Sequence, residues 1–355
     1  MNIYGLAIIH NGAKFDFPFI ESLQSMAPFV KSIVINYGEC TDETLPRLQA
    51  LRSSLMTPLE ILHSKWDMSR KDRGLIFSDE TNRALKWLRD RSDRDYDDRD
   101  AWVIYLQSDE IIHKQDFEVI RRDLQLAEES GCDVVRFRYI HFWQEHNKIA
   151  INKKWYPQEI RALRLFSDVL SYGDAQTFYK YKKIYDSDAH IYHYGHVREK
   201  SAYREKVDNM IRFYHANQDY QKYARKWKRR DRCTETLDYF GPHPQVIHER
   251  IKRLGGVITL PEVERVYIVG KDITFSPETI QRIACKKVIF VSSLKDVPKA
   301  FYPWTIVFYP RIRDKIFHRS LLDVVPLQMR SPLARAWSQD FVLMLKLSAK
   351  GISLK

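Results

Sequence analysis

Short apolar runs alternate with amphipathic stretches through the first half of this chain, and that alternation limits what it can fold into. Ile3 to Ile9, Ser32 to Asn36, Leu59 to Leu62 and Trp102 to Leu106 are too short for helices and rich in β-branched or aromatic residues, so each reads as a buried strand. Phe17 to Phe29 and Ser78 to Leu88 lie between them with helical spacing, Ser78 serving as a cap, and Gln115 to Glu128 follows as another helix. Such alternation builds βαβ units and a mostly parallel sheet, so the expected class is α/β.

After Cys132 the pattern changes. Val134 to Trp143 alternates in part, as a half-exposed strand does, and aromatic-rich segments lead to HIYHYGHVR at His190 to Arg198. Ala202 to Lys228 is polar, basic and helical in spacing. FGPHP at Phe240 to Pro244 breaks the chain, and a helix from Gln245 to Leu254 ends at Gly255-Gly256. Val266 to Gly270, Val288 to Ser293 and Thr305 to Tyr309 then read as strands, with a short helix at Pro277 to Ile283. The expected division is a main domain over 1–255 and a small α/β appendage over 256–355, whose role the sequence does not assign.

With 44% hydrophobic and 13% aromatic residues the chain can build a core, which argues against global disorder. Its net charge of +12 favours an anionic partner: nucleotide phosphates, nucleic acid or an anionic membrane surface. Cys40, Cys132, Cys233 and Cys285 are too dispersed for a zinc motif or a disulfide framework, which suits a reducing compartment. MNIYGLAIIHNG reads as a first strand, not a signal peptide, and no run has the length of a membrane span. The expected location is the cytoplasm, with peripheral contact at the inner membrane face as the alternative. The tail from Ala334 to Leu347 has Trp337, Phe341 and Leu345 at four-residue spacing, which suits packing on its own domain or lying on a membrane.

Chemistry concentrates at AWVIYLQSDE, where the fourth strand stops at Asp109 and Glu110. Ligands of open α/β sheets bind beyond the carboxyl ends of strands, and a carboxylate there can hold a divalent cation against a diphosphate. His10-Asn11-Gly12 and Tyr37-Gly38 through Asp42 reach the same edge, as turn residues or as partners of a base and ribose. Asn82-Arg83 lies on the preceding helix, where an Arg suits either a solvated face or a diphosphate. One of His190, His193 and His196 can join Asp109 at a metal, since imidazole accepts manganese as well as zinc; the competing reading is an aromatic core strand. Glu159 and Asp174 are carboxylates able to take a proton from an acceptor hydroxyl.

In this order the chain reads YLQSDE, YIHFW, WYPQEIR, SYGDAQTF, IYHYGHVR and HPQVIHERI. The series resembles bacterial and phage-type family 2 glycosyltransferases of the GT-A fold, which carry Q-A-D-E, Y-x-H-F, W-Y-x-x-E-I-R, S-Y-x-D-A-Q-x-F, I-Y-H-Y-G-W-V and H-P-x-x-x-x-E-R-I. The likeness covers residues 1 to about 255. It implies a Rossmann-like, mostly parallel sheet and transfer of a hexose or pentose from a nucleotide-diphosphate sugar, with Mn²⁺ or Mg²⁺ at the diphosphate and inversion at the anomeric carbon. By position, the resemblance places His10, Asn11 and Asp42 with the nucleotide, Asp109 and His193 with the metal, and Asp174, then Glu159, as base; Asn82, Arg83 and Ser108 are further nucleotide-binding candidates. Gln107 stands at the first position of the common D-x-D, as it does in the Q-A-D-E members, and the chain departs from the pattern at Asn36-Tyr37 in place of an aspartate and at His196 in place of Trp.

The acceptor implied is a surface glycan or its lipid-linked precursor; hydroxylated bases of DNA, as in phage systems, are the alternative. A nucleotidyltransferase would want a Gly-rich phosphate loop that His10-Asn11-Gly12 does not supply. A non-enzymatic nucleic-acid-binding protein would draw on the net charge and on ARKWKRRDR at Ala224 to Arg232, although no standard recognition motif accompanies them.

Overall fold

The computed structural model describes residues 1–70, 72–92, 99–152, 155–215, 219–232, 234–239 and 243–256, together with four strands beyond them. The chain divides into two compact units, Met1–Leu237 with Pro244–Gly256, and Asp238–His243 with Val257–Lys355.

The first unit has mixed α/β architecture. Strands β1 (Ile3–Ile9), β2 (Ile33–Gly38), β3 (Leu59–Ser64) and β4 (Trp102–Leu106) run parallel in the spatial order β3-β2-β1-β4. β1, β2 and β4 are buried along their whole length, which is why they read as continuous apolar runs and not as alternating ones. Beyond them come β5 (Glu110–Ile112), β6 (Val134–Trp143), β7 (Glu145–Ala150) and β8 (Gln158–Arg164), a hairpin of β9 (Leu170–Tyr172) with β10 (Thr177–Tyr179), and β11 (Ile184–His196). β8 sits antiparallel between β4 and β6, and β11 lies parallel to β6 while also pairing antiparallel with β5. Parallel pairing thus holds for the first four strands and gives way to a mixed sheet at β8.

Helices α1 (Phe19–Met26), α2 (Thr44–Ser54), α3 (Leu75–Ser92) and α4 (Phe117–Glu129) cover the sheet. Leu23, Met26, Leu48, Leu51 and Leu124 join one core, whereas Ile76, Ala84, Leu85 and Leu88 of α3 join another with Tyr4, Leu6, Val103 and Tyr105. Each such buried aliphatic side chain stabilises the fold by about 1.5–3 kcal/mol. Helices α5 (Lys200–Tyr214), α6 (Tyr220–Arg232) and α7 (His248–Arg253) complete the unit. Helix α3 begins at Leu75, not at Ser78: Gly74 takes a positive φ of 89° that starts it earlier, and the Ser78 hydroxyl donates back to the Leu75 carbonyl instead of capping. β6 is buried more fully than its partial alternation predicts, because β11 and β8 flank it on both edges.

In the second unit, Arg265–Val269 pairs parallel with Lys287–Val291 and with Thr305–Pro310, and Leu322–Pro326 pairs antiparallel with the last of these. The helix expected at Pro277 to Ile283 and the tail from Ala334 to Leu347 lie outside the described residues. Among the described residues no helix is long and apolar enough to cross a membrane.

Candidate active site

The carboxyl ends of β1 and β4 open onto a cleft of about 380 Å³. His10, Ser108, Asp109, Asp174, His193 and His196 line it, joined from α5 by Lys206, Met210 and Tyr214. The location follows from the topology, because adjacent parallel strands leave a crevice beyond their carboxyl ends.

Glu110 and Asp109 are neighbours with opposite fates. Glu110 is fully buried and receives a two-pronged contact from Arg161, Nε to Oε2 at 2.7 Å and Nη2 to Oε1 at 2.9 Å. The Tyr139 hydroxyl and the Gln107 amide donate to the same carboxylate at 2.8 and 3.0 Å. Arg161 is held between the rings of Tyr105 and Tyr139 and donates to the Gln176 carbonyl at 2.7 Å. With its charge so fully answered, Glu110 anchors the loop and turns Asp109 into the cleft.

Around Asp109 stand Lys206 Nζ at 3.5 Å, His193 Nε2 at 3.7 Å and Arg198 Nη2 at 3.8 Å. Burial works against ionisation of this carboxyl, yet these neighbours outweigh it and hold its pKa below the ordinary value. Burial lowers the pKa of His193, so the permanent charges beside Asp109 are those of Lys206 and Arg198. Gly195 is required here. A Cβ at that position would lie 2.5 Å from His193 Nε2 and 2.6 Å from Asp109 Oδ2, closing the space between them.

The proton on His193 is fixed from behind. His141 Nε2 meets the Tyr156 carbonyl at 2.7 Å, and a carbonyl only accepts, so that nitrogen carries the hydrogen. In a neutral ring His141 Nδ1 is then an acceptor, and His193 Nδ1, 2.9 Å away, must donate to it. His193 Nε2 is left with its lone pair facing Asp109. A regular strand would send His193 and His196 to opposite faces, but an irregularity in the β11–β6 register falls between them and both line the cleft. His190 does not line it.

The donor set suits a divalent cation that substrate completes. Two metal–ligand bonds of about 2.1 Å can span the 3.7 Å between Asp109 Oδ1 and His193 Nε2, and magnesium-type ions keep waters and phosphate oxygens as their other ligands. Among the described residues no group of three or more His, Cys, Asp or Glu side chains could hold a metal.

Asp174 reaches the cleft on the tight turn between β9 and β10, where Gly173 and Ala175 take positive φ values of 67° and 61°. Burial raises its pKa, against opposition from backbone amides, Arg161 and a hydrogen bond with Tyr214. The Tyr214 ring fits because residue 74 is glycine: a Cβ there would lie 2.9 Å from it. Glu159 also has a raised pKa through burial, but it accepts a hydrogen bond from Gln176 at 2.8 Å and does not line the cleft.

The remaining candidates divide. The His10 ring stacks on Trp66 at 5.5 Å, and Ser108 donates to the Ile8 carbonyl at 2.7 Å; both line the cleft. Asn11 sits at φ 52° in the turn after β1, outside the lining. Asp42 clasps loops together, accepting from the amides of Lys14 at 2.7 Å and Thr44 at 3.1 Å. Asn82 brackets Ser171, accepting from its amide at 2.7 Å and donating to its carbonyl at 3.0 Å, and so pins the hairpin that carries Asp174. Arg83 points along α3 to Glu80 at 3.0 Å and does not face the cleft. In the last motif, Arg250 grips Asp16 through Nη1 and Nη2 at 2.9 and 2.8 Å, fixing the loop after β1.

Sequence reasoning missed Trp66, His141, Lys206 and Tyr214. The last two stand with Met210 at four-residue steps on α5, a spacing that marks one helix face.

No protein-family model matches the sequence, and no curated protein matches it either. Among solved structures, the 1–349 fragment of S. aureus TarS in complex with UDP is 15% identical, with 65% of this chain and 71% of that one covered and a TM-score of 0.37. The same fragment in complex with UDP-GlcNAc is 17% identical, covering 59% and 66%, with a TM-score of 0.36. Mannose-6-phosphate isomerase from Helicobacter pylori is 14% identical, covering 47% and 62%, with a TM-score of 0.28. These likenesses are distant.

Proposed function

We propose that this chain is a GT-A-type glycosyltransferase that moves a sugar from a nucleotide-diphosphate donor to an acceptor hydroxyl with inversion. The observation that supports the reading best is the meeting, in one cleft at the carboxyl edge of parallel strands, of an ionised Asp109, a His193 with its lone pair presented, and an Asp174 of raised pKa. Asp109 and His193 would hold Mn²⁺ or Mg²⁺, and that ion supplies charge neutralisation at the diphosphate when bound.

The chain's own groups account for the rest. His10 on Trp66 offers a flat surface for the base, and Ser108 stands beside it for the ribose. Lys206 and Arg198 oppose the negative charge that grows on the leaving diphosphate. Asp174 takes the proton from the acceptor hydroxyl as its oxygen bonds to the anomeric carbon and the bond to the diphosphate oxygen breaks. Both Asp174 and Glu159 have raised pKa values and are stronger bases than ordinary carboxylates, and Asp174 is favoured because it lines the cleft and Glu159 does not.

A thermal-shift panel of UDP, GDP and CDP, with and without Mn²⁺, tests the proposal. Stabilisation by one nucleotide that depends on Mn²⁺ and disappears in Asp109→Asn is the expected result. A flat panel overturns the enzyme reading, and a normal response by the variant overturns the metal assignment.

A further inference from the structure

A second pocket, of about 530 Å³, is built by α5, α6 and the end of β11 and shares His196, Val207 and Trp227 with the cleft. Arg198, Lys200, Arg204 and Lys228 line it against a single carboxylate, Asp208. That carboxylate is already engaged, since it accepts from Arg212 Nε at 2.8 Å and from the Tyr220 hydroxyl. Arg198 forms part of the wall with its side chain wholly buried, and its Nε has no hydrogen-bond partner among the described residues. Tyr203, Tyr220 and Trp227 add aromatic surface to the same pocket.

If the cleft transfers glycosyl groups, this pocket lies where an acceptor must enter, because its shared wall borders the space that holds Asp174 and His193. We propose that it is the acceptor site and that the acceptor is an anionic saccharide, its ring packed on Trp227 and Tyr203 and its acidic group met by Lys200 and Arg204 beside Arg198. Lys200 and Arg204 stand in a lining that offers one carboxylate, already engaged, and so favour a negative charge, while the aromatic faces suit the C–H surface of a sugar ring. A single-stranded nucleic acid also combines aromatic and basic contacts, but it uses a groove that tracks several nucleotides, whereas this is a compact pocket.

Calorimetric titration of the full chain, saturated with UDP and Mn²⁺, tests the assignment with three probes: a heparin-type hexasaccharide, maltohexaose and hexathymidylate. The heparin hexasaccharide is expected to bind without displacing UDP, and maltohexaose to bind at least tenfold more weakly. The double variant Lys200→Ala, Arg204→Ala is expected to lose at least tenfold in heparin affinity while its UDP affinity stays the same. Heparin binding that displaces UDP, ignores the double substitution or is absent overturns the inference, as does hexathymidylate binding as tightly. Failure of UDP, GDP and CDP alike to bind overturns the glycosyl-transfer reading on which the inference rests; if GDP or CDP is the one that binds, it replaces UDP in the titration.

Discussion

His141 and His193 face each other through their Nδ1 atoms at 2.9 Å, and the Tyr156 carbonyl behind His141 decides which of the two donates. A backbone group thus presents the His193 lone pair to the cleft without touching it. His141→Phe keeps a ring among Tyr139, Tyr156 and Trp155 but removes the acceptor. Mn²⁺ affinity, read by electron paramagnetic resonance in the presence of UDP, is expected to fall about 10–100-fold, the usual cost of losing a group that orients a metal ligand. Unchanged affinity would show that the pair has no orienting role.

Removing one partner of the Glu110–Arg161 pair leaves a buried charge uncompensated. Glu110→Gln is expected to cost about 3–5 kcal/mol in a urea unfolding series. Replacement of the neighbour, Asp109→Asn, removes a carboxylate held against Lys206 and Arg198 and is expected to disturb nucleotide and metal binding more than folding. Equal stability losses for the two variants would contradict this division of labour.

Asn36 shows why a departure from a family pattern need not be a loss. Its amide donates to the Glu80 carbonyl and carboxylate, both at 2.9 Å, and its carbonyl oxygen accepts from the Ser64 hydroxyl at 2.5 Å. Ser64 in turn accepts from Trp66 Nε1 at 2.7 Å, which orients the indole under His10. An aspartate here could not donate and would set a second carboxylate against Glu80. Asn36→Asp is expected to destabilise the fold by on the order of 3 kcal/mol at neutral pH, and by less in acid, where the new carboxyl is protonated. Thermal unfolding at two pH values checks both parts.

Asp174 ties activity and stability to pH in opposite directions. Because burial raises its folded pKa, its contribution to stability is present below the unfolded value of about 3.9 and is lost as pH rises through the folded value. Asp174→Asn is therefore expected to stabilise the fold at neutral pH while lowering turnover about 10²–10⁴-fold. If Asp174 is the base of the proposed transfer, kcat/KM of the parent chain should fall on the acid side with a midpoint above that of an ordinary aspartate. Tyr214→Phe removes a hydrogen bond that favours the ionised form and should move the midpoint higher. A midpoint that ignores Tyr214 would assign the limb to another group.

The parts of this architecture that could be read in the sequence are those where one local signal decides. Three of the four parallel strands, β1, β2 and β4, were legible because burial on both faces makes their apolar runs continuous. Asp109 was legible because it ends one of them. Pairing between distant segments was not: nothing local announces that β8 enters beside β4, or that α5 crosses the cleft with Lys206 and Tyr214. Asn82 and Asp42 were seen as polar residues near the right edge, but their hydrogen bonds to Ser171 and to Lys14 and Thr44 depend on loops that only the tertiary fold brings together. The histidine spacing left the choice among the three open for a similar reason, since the irregularity in β11 decides which face His193 and His196 share.

Gly195 separates occupancy of the cleft from integrity of the fold. Its backbone does not need the left-handed region, so alanine there strains no dihedral angle. The added methyl would instead lie 2.5 Å from His193 Nε2 and 2.6 Å from Asp109 Oδ2, closer than carbon approaches such atoms, so both side chains must move apart or turn away. The Gly195 carbonyl, which accepts from Arg198 at 2.6 Å and Lys206 at 3.1 Å, would shift with them. Gly195→Ala is therefore expected to abolish Mn²⁺-dependent stabilisation by nucleotide while leaving the melting temperature of the ligand-free chain within a few degrees of the parent. If metal-dependent stabilisation survives, the space between Asp109 and His193 is not where the cation sits. Loss of the fold itself would mean that this space is needed for packing and not for a ligand.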